Sequence, residues 1–339
     1  MDRVFSFPRD DFEKGVVVGI FTTLVVIIAA SVVPAVRSHD VYSLVHWKLH
    51  VRSPLQPLWM NIGYWTKEAG RRAETLEDAC MALLREVLTT ASLYPCQSTD
   101  DISILDVGFG CGDQTWELAR CLNAGKRSMF RYVGITDNPK QVAFAQRRLE
   151  TELAATTWQS RCLFKLFRND AAQPEGWNEE LCGELNGFTT SNESWLLGLD
   201  CLYHFSPSRE PLFQYAARNM HANLMAFDLL LRENASFVSR AIVWCICKLI
   251  GCPTRTFLTK QQYAAQLEAA GYTKETIILR DISSDVFPGF VAFMDAQEQV
   301  LAEYGIKLGA LKVAKRIFGW FGTSGAIRAV IVVARIPDK

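Results

Sequence analysis

The chain has 339 residues, of which 49% are hydrophobic and 21% are charged, and this composition excludes a disordered or fibrous protein. Its 36 basic and 36 acidic residues give zero net charge, so electrostatics provide no basis for a nucleic-acid partner. The ten cysteines form no CxxC pair, and the group Cys245, Cys247 and Cys252 lacks histidines at metal-ligand spacing. We therefore predict reduced thiols, no metal site and no nucleic-acid binding.

The N-terminal region contains a long apolar run, "GVVVGIFTTLVVIIAASVVPAV", which covers residues 15–36 without a charge. At 1.5 Å per residue a helix of this length crosses a hydrocarbon core of about 30 Å. A signal peptide is the alternative, but its apolar region is usually shorter and its leading segment basic rather than mixed. We predict a single-pass membrane anchor, with the folded domain facing the cytosol and the endoplasmic reticulum as a candidate membrane. Basic residues flank both ends, so topology is not readable from charge.

Beyond the anchor, strand-like and helix-like patterns alternate in βαβα order, which is typical of a parallel sheet covered on both faces. We predict an α/β fold, a Rossmann-like seven-stranded and mostly parallel sheet with helices on both faces and a helical cap insertion. The predicted strands are residues 102–107, 132–136, 162–167, 194–200, 223–231, 276–282 and 326–336. The predicted helices are residues 75–92, 113–122, 139–150, 210–220 and 260–270, with a helical region at 287–318. The corresponding domains are a tail (1–14), the anchor (15–36), a linker and lid (37–74), a core (75–232), a cap (233–320) and a last core strand (321–339).

A glycine-rich loop, "DVGFGCGD", follows the first predicted strand at residues 106–113. A nucleoside-triphosphate loop would end in GK[ST], which is absent here, and a dinucleotide loop would have its third glycine where Asp113 stands. We expect Asp113 to cap the following helix with its carboxylate and to repel a phosphate group. Together with Asp106 it favours a ligand that carries positive charge near the loop. An ordinary strand–turn–helix remains the alternative.

S-adenosylmethionine (SAM) carries an ammonium and a sulfonium group and no phosphate. The stretch "DVGFGCGDQTWELA" resembles the glycine motif of class I SAM-dependent methyltransferases. "YVGITDNPKQVAFAQRRL" is similar to the second-strand motif of small-molecule and lipid methyltransferases and cyclopropane-type enzymes. The resemblance covers residues 57–168 and 194–230 and implies SAM as cofactor. It implies these cofactor-binding residues: Asp106, Gly108, Gly110, Gly112, Thr136, Asp137, Gln141 and Asp170.

Several of these assignments have a simpler alternative. The resemblance places Thr136 and Gln141 near the adenosine and methionine parts of SAM. Asp137 either binds the ribose or caps the next helix, and both interpretations stay open. Asp170, in "RNDAAQ", matches the acidic residue that meets the adenine amino group, and its alternative is a turn cap.

Two further stretches imply catalytic residues. "LDCLYHFSPSREPLFQYAARNM" resembles the fourth-strand segment of the same families, in which a histidine lies near the transferred methyl group. His204 would then accept a proton from the substrate, its alternative being a helix-capping imidazole. "MNIGYW" resembles the "LGYW" stretch of sterol, tocopherol and natural-product methyltransferases, which implies that Tyr64 closes over cofactor and substrate. The alternative for Tyr64 is plain aromatic packing.

The apolar anchor and a second apolar segment, "FVSRAIVWCICKLIGCP", favour a substrate that partitions into membranes. The predicted function is a membrane-anchored methyltransferase acting on a lipophilic small molecule: a lipid, sterol, terpenoid or polyketide. The alternatives are a cyclopropane-type or carbon methyltransferase of acyl or sterol substrates, and a non-catalytic SAM-binding membrane module. A nicotinamide oxidoreductase is disfavoured by Asp113.

Overall fold

A computed structural model describes residues 57–66, 72–154, 161–303 and 306–337, with the single residues 19, 156 and 158. The predicted anchor at residues 15–36 lies outside the described residues apart from Gly19. Among the helices that are described, none combines the length and the apolarity needed to cross a membrane.

The described part of the chain contains a seven-stranded sheet, which confirms the predicted Rossmann-like, mostly parallel α/β sheet. Its strand order is β3-β2-β1-β4-β5-β7-β6. The neighbours among β1 to β5 are parallel, and β7 is antiparallel to both β5 and β6. The strands are β1 (Ile102–Val107), β2 (Phe130–Thr136), β3 (Cys162–Arg168), β4 (Glu193–Leu199), β5 (Asn223–Leu231), β6 (Ile278–Asp281) and β7 (Ile327–Ala334).

Helices cover both faces of this sheet, as predicted, and each face has its own apolar core. The described helices are α1 (Leu76–Thr90), α2 (Asp113–Cys121), α3 (Pro139–Ala154), α4 (Glu179–Asn186), α5 (Glu210–Arg218), α6 (Phe237–Ile250), α7 (Lys260–Ala270), α8 (Ser283–Glu303) and α9 (Leu311–Ser324). Helices α1, α2, α3, α6, α8 and α9 contribute to the core on one face. Helices α4, α5 and α7 contribute to the core on the other.

Two helical features differ from the sequence prediction. Helix α4 was not predicted, because its eight residues show too few turns for a visible period; Asn178 caps it and Leu181 and Leu185 anchor it. The predicted helical region 287–318 is two helices, α8 and α9, which are joined by a turn with Gly309 at φ +60°. Ion pairs such as Lys315–Asp295 at 2.7 Å then connect the two helices.

The strand order reverses between β1 and β4, and this position determines where a ligand can bind. On one side of β1 the chain continues through β2 to β3, and on the other side through β4 to β5. The helices that follow β1 and β4 diverge at this point, so a crevice opens beyond the carboxyl ends of the strands.

Candidate functional site

A cavity of about 270 Å³ lies in this crevice. Its walls come from the glycine loop, the ends of β2, β3 and β4, and the segment that precedes α1. The lining residues fall in the ranges 58–61, 108–114, 135–141, 169–171 and 199–206. Gly108, Gly110, Thr136, Asp137, Gln141, Asp170 and His204, all singled out from the sequence, line it.

The three glycines of the loop have left-handed backbone conformations, with φ of +76° at Gly108, +67° at Gly110 and +92° at Gly112. L-residues rarely adopt such values, so glycine is required by the backbone itself. A Cβ at Gly112 would lie 3.2 Å from the Cα of Ala145 on α3, whereas one at Gly110 would lie 3.6 Å from the Met60 sulfur beside the cavity. Gly112 therefore allows α2 and α3 to pack, and Gly108 and Gly110 bring the backbone to the cavity wall.

The prediction that Asp113 caps α2 is wrong. Gly112 occupies the N-cap position, which has no side-chain hydrogen bond. The buried Asp113 carboxylate instead pairs with Arg148 of α3 and accepts the Leu58 N–H at 3.2 Å. Burial raises the pKa of Asp113, and Arg148 opposes that rise. Asp113 thus ties the segment preceding α1 to the loop, a contact that sequence periodicity does not reveal.

Asp106 lies beneath the loop, fully buried, and does not line the cavity. Its two carboxylate oxygens accept the Gln114 side-chain amide at 2.8 and 2.9 Å, and Oδ2 also accepts the Tyr132 hydroxyl at 2.7 Å. Burial raises the pKa of Asp106 to about 7, while these hydrogen bonds act in the opposite direction. Gln114 does line the cavity, so it lies between this carboxylate and the cavity.

Thr136 and Gln141 form one polar wall of the cavity. The Thr136 hydroxyl donates to Gln141 Oε1 at 2.8 Å, and Gln141 Nε2 donates to the Met60 sulfur at 3.3 Å. Asp137 is exposed at the mouth, while Asn138 Oδ1 accepts the N–H groups of Lys140 and Gln141 at the start of α3.

Asp170 lies near the same end of the cavity and is also exposed. It accepts the Ala172 N–H at 2.8 Å and the Gln173 side-chain amide at 2.6 Å. Its predicted alternative role as a turn cap is therefore realised, and it lines the cavity at the same time.

His204 and Asp200 lie at the end of β4 and both line the cavity. His204 Nδ1 is 3.0 Å from the sulfur of Cys252, a residue that follows α6. Burial lowers the pKa of His204 to about 4, so the imidazole is neutral at physiological pH. Asp200 accepts the Ile62 N–H at 2.8 Å and the Tyr203 hydroxyl at 3.0 Å, and burial raises its pKa to about 7.

Tyr64 is not among the described residues that line the cavity. Its phenol is close enough to Arg280 for a hydrogen bond, and burial raises the pKa of Tyr64, with a further rise from the nearby carboxylates of Asp285 and Glu86. Its backbone N–H donates to the Ala79 carbonyl at 2.8 Å. This placement resembles the packing alternative, and Met60 is the residue of the "MNIGYW" stretch that meets Gly110 and Gln141.

The charge of the cavity wall is one-sided. Four aspartates line it: Asp113, Asp137, Asp170 and Asp200. None of the described lining residues is Lys or Arg, and Arg148, which pairs with Asp113, is outside the lining. A phosphate group in this cavity would lack a Lys or Arg partner among the described lining residues. A positively charged ligand would be attracted chiefly by Asp137 and Asp170, because Asp113 already pairs with Arg148 and burial raises the pKa of Asp200 to about 7.

Three residues at the site were not found from the sequence: Met60, Gln114 and Cys252. Each acts through a contact between distant segments, such as the 3.0 Å approach of Cys252 to His204. Such a contact cannot be recognised in the sequence when the residue belongs to no motif and the two segments lie far apart along the chain. In the sequence, Cys252 stood out only as a member of the group Cys245, Cys247 and Cys252, which lacks histidines at metal-ligand spacing.

No family model matches the chain, and no curated protein matches it in sequence. The fold, however, matches solved structures over most of the described chain. A cyclopropane synthase from Mycobacterium tuberculosis is 13% identical, with a TM-score of 0.57, over 90% of this chain and 98% of its own. The cyclase SpnF is 18% identical, with a TM-score of 0.56, over 90% and 97%.

A third similar structure is a geranyl diphosphate C-methyltransferase from Streptomyces coelicolor, in complex with Mg²⁺, geranyl diphosphate and S-adenosyl-L-homocysteine. It is 14% identical, with a TM-score of 0.53, over 88% of this chain and 100% of its own. These likenesses show that the chain has the fold of class I methyltransferases. Because a cyclase shares that fold, the reaction has to be argued from the site.

Proposed function

We propose that this chain is a SAM-dependent methyltransferase that acts on a lipophilic small molecule. The observation that carries the proposal is a cavity at the switch point of the sheet that is lined by four aspartates and, among its described residues, by no Lys or Arg. A dinucleotide places its pyrophosphate on the backbone N–H groups at the N-terminus of the helix after the first strand, and here the Asp113 carboxylate lies in the first turn of that helix, α2. The described lining also contains no Lys or Arg to bind the phosphates of a dinucleotide or a nucleoside triphosphate. SAM has two cationic groups and no phosphate, so its charge is complementary to the aspartates that line the cavity.

The residues present fit this cofactor from end to end. At one end the exposed carboxylates of Asp137 and Asp170 accept hydrogen bonds, as the hydroxyls of a ribose and the amino group of an adenine require. At the other end, the Gln114 amide group donates to Asp106, which orients the Gln114 carbonyl oxygen as an acceptor for an ammonium group. Backbone at Gly108 and Gly110 forms the wall between the two ends.

SAM supplies an electrophilic methyl group on a good leaving group, so the protein has to align the acceptor, exclude water and hold a proton. We assign the last task to His204, because its neutral imidazole can accept the proton of an O–H or N–H acceptor. This role requires the tautomer in which Nδ1–H donates to the Cys252 sulfur, at 3.0 Å.

The lipophilic substrate is inferred from the apolar part of the wall. Leu58, Trp59, Met60, Phe109 and Phe205 contribute apolar surface to the lining of the cavity. A diphosphate substrate is disfavoured by the absence of Lys and Arg from the described lining. Membrane attachment through residues 15–36, with the domain on the cytosolic side, is part of the proposal and rests on the uncharged run in the sequence.

The test is an untargeted search for methylated products. Full-length protein, SAM and a lipid extract are incubated, and mass spectrometry identifies any metabolite that gains 14 mass units. Repeating the reaction with a trideuterated methyl donor separates two outcomes, because methyl transfer adds 17 units and cyclopropane formation adds 16. A product with either mass gain supports SAM-dependent transfer of a one-carbon unit, and the size of the gain distinguishes methyl transfer from cyclopropane formation. Cofactor binding with no product from any extract would identify a non-catalytic SAM-binding module.

A further inference from the structure

Helix α6 presents an apolar surface to solvent, which is unusual for a helix of a packed domain. The most exposed large hydrophobic side chains of the described chain are Phe237 at 86% and Val238 at 64%, followed by Trp244 at 53%. All three lie on this helix, and Ile242 beside them is also exposed. Since burial of such residues is favourable, a surface of this kind indicates a partner.

The charges on α6 indicate which partner. Within the helix the charged residues are Arg240 and Lys248, and both are basic. Lys248 Nζ lies 5.6 Å from the centre of the Trp244 ring, which combines a cation and an amphipathic aromatic ring at the helix surface. An apolar face with a tryptophan and flanking basic residues is suited to the headgroup region of an anionic bilayer.

The inner side of α6 leads directly to the catalytic cavity. Val243 and Cys247 are buried in the core, and the Cys252 N–H donates to the Cys247 carbonyl at 2.9 Å just after the helix ends. The Cys252 sulfur then contacts His204 Nδ1 at 3.0 Å. The outer face of α6 therefore lies on the opposite side of the helix from the wall that contains His204.

We propose that α6 docks in the plane of a membrane, with its exposed face in the boundary between headgroups and acyl chains, and thereby holds the cavity against the bilayer that contains the substrate. The delivery of substrate rests on the function proposed above, whereas the docking does not. At 14 residues the helix is about 21 Å long, too short to span a core of about 30 Å, so it lies parallel to the surface.

A second copy of the chain is a weaker explanation for this face. A helix of about 21 Å by 10 Å has a footprint of roughly 200 Å², whereas a stable interface buries about 800 Å² on each partner. The two basic residues of α6 would also face each other's copies in a symmetric pairing. Neither objection applies to an anionic lipid surface.

Cys245 provides a reporter, because it lies on α6 and is the exposed one of the ten cysteines. We would label it with an environment-sensitive fluorophore in the full-length chain and add vesicles of phosphatidylcholine with and without phosphatidylserine. We expect a blue-shifted emission, quenching by lipid-borne quenchers at shallow depth and protection from aqueous iodide. Protection should be about tenfold stronger with phosphatidylserine and decrease about tenfold in Phe237→Ser/Val238→Ser.

Two controls use the same chain. Labelled Cys245→Ser measures off-site labelling. A Glu180→Cys substitution in that background places the label at an exposed position of α4, where iodide access should not change with lipid. If the Cys245 label stays accessible to iodide in vesicles, docking is refuted even when residues 15–36 hold the protein on the membrane. A change that occurs without lipid and depends on protein concentration would identify a second copy as the occupant and also overturn the proposal. Titration with S-adenosylhomocysteine, which does not involve α6, shows separately whether the proposed function fails.

Discussion

Replacement of Gly110 by alanine separates cofactor binding from folding. With φ at +67°, alanine at this position is strained by about 1–2 kcal/mol. The added methyl group would meet little protein: the Met60 sulfur at 3.6 Å and its Cγ at 4.0 Å are the atoms within 4 Å. The structure therefore predicts a small loss of stability, with Tm lower by a few degrees.

The same methyl group would occupy the cavity wall where the backbone approaches the ligand. We expect the Kd for S-adenosylhomocysteine to rise at least about tenfold, which corresponds to about 1.4 kcal/mol. Isothermal titration calorimetry measures the Kd, and thermal unfolding without ligand measures the strain.

Gly112→Ala is the matched control. It has a similar backbone strain at φ +92°, and its Cβ would also lie 3.2 Å from both the Cα and the Cβ of Ala145. Overpacking of this kind adds about 1–3 kcal/mol, so this variant should lose more stability than Gly110→Ala. Gly112 does not line the cavity, so the folded fraction should bind ligand better than Gly110→Ala does. Unchanged affinity in Gly110→Ala, or weaker binding in Gly112→Ala than in Gly110→Ala, would refute this reasoning.

Three further predictions concern the groups around the cavity. His204→Ala should abolish most turnover and Cys252→Ala should reduce kcat, whereas Cys252→Ser should restore kcat because its oxygen can accept the Nδ1–H. The acidic limb of the wild-type rate profile should lie near pH 4 rather than 6.5, because burial lowers the pKa of His204 to about 4. Equal rates for all variants would remove this pair from the mechanism. Burial raises the pKa of Asp200 to about 7, so its protonated form stabilises the fold below about pH 4 and that stability is lost as the pH rises through 7. In urea unfolding, the free energy of unfolding of Asp200→Asn should gain up to about 4 kcal/mol over that of wild type between pH 4 and 8. A difference that stays constant with pH would contradict this pKa. Arg148→Met leaves the buried Asp113 carboxylate without its cationic partner and should destabilise the protein by about 3 kcal/mol in the same assay, the low end for a broken buried pair because the Arg148 side chain is 24% exposed. An unchanged free energy of unfolding would contradict this prediction.

The fold could be predicted from the sequence where local patterns agreed with the final packing. Strands such as β1 are buried along their whole length, and such continuous apolar runs between turn signals are readable without tertiary information. Helix α4 and the break between α8 and α9 were not predicted, because a short helix has no clear period and a turn at Gly309 interrupts an otherwise helical composition.

The sequence predicted which loops meet at the site, but it did not predict all the partners of the side chains there. The glycines and the polar residues after β2 follow strand ends, so their meeting at one edge is a consequence of parallel topology. Asp113 is a residue whose contacts could not be predicted from the local sequence. Its position after Gly112 predicts a helix cap, but the segment preceding α1 brings the Leu58 N–H to it and α3 brings Arg148. Those partners come from 55 and 35 residues away, and local sequence does not report them.

We propose that the cavity beyond β1 and β4 binds SAM rather than a phosphate-bearing cofactor. Calorimetric titration of the full-length chain with S-adenosylhomocysteine, and in parallel with NADH, tests it most directly. We expect saturable binding of S-adenosylhomocysteine at one site per chain and no binding of NADH. Absence of binding by the first ligand, or saturable binding of the second, would contradict it.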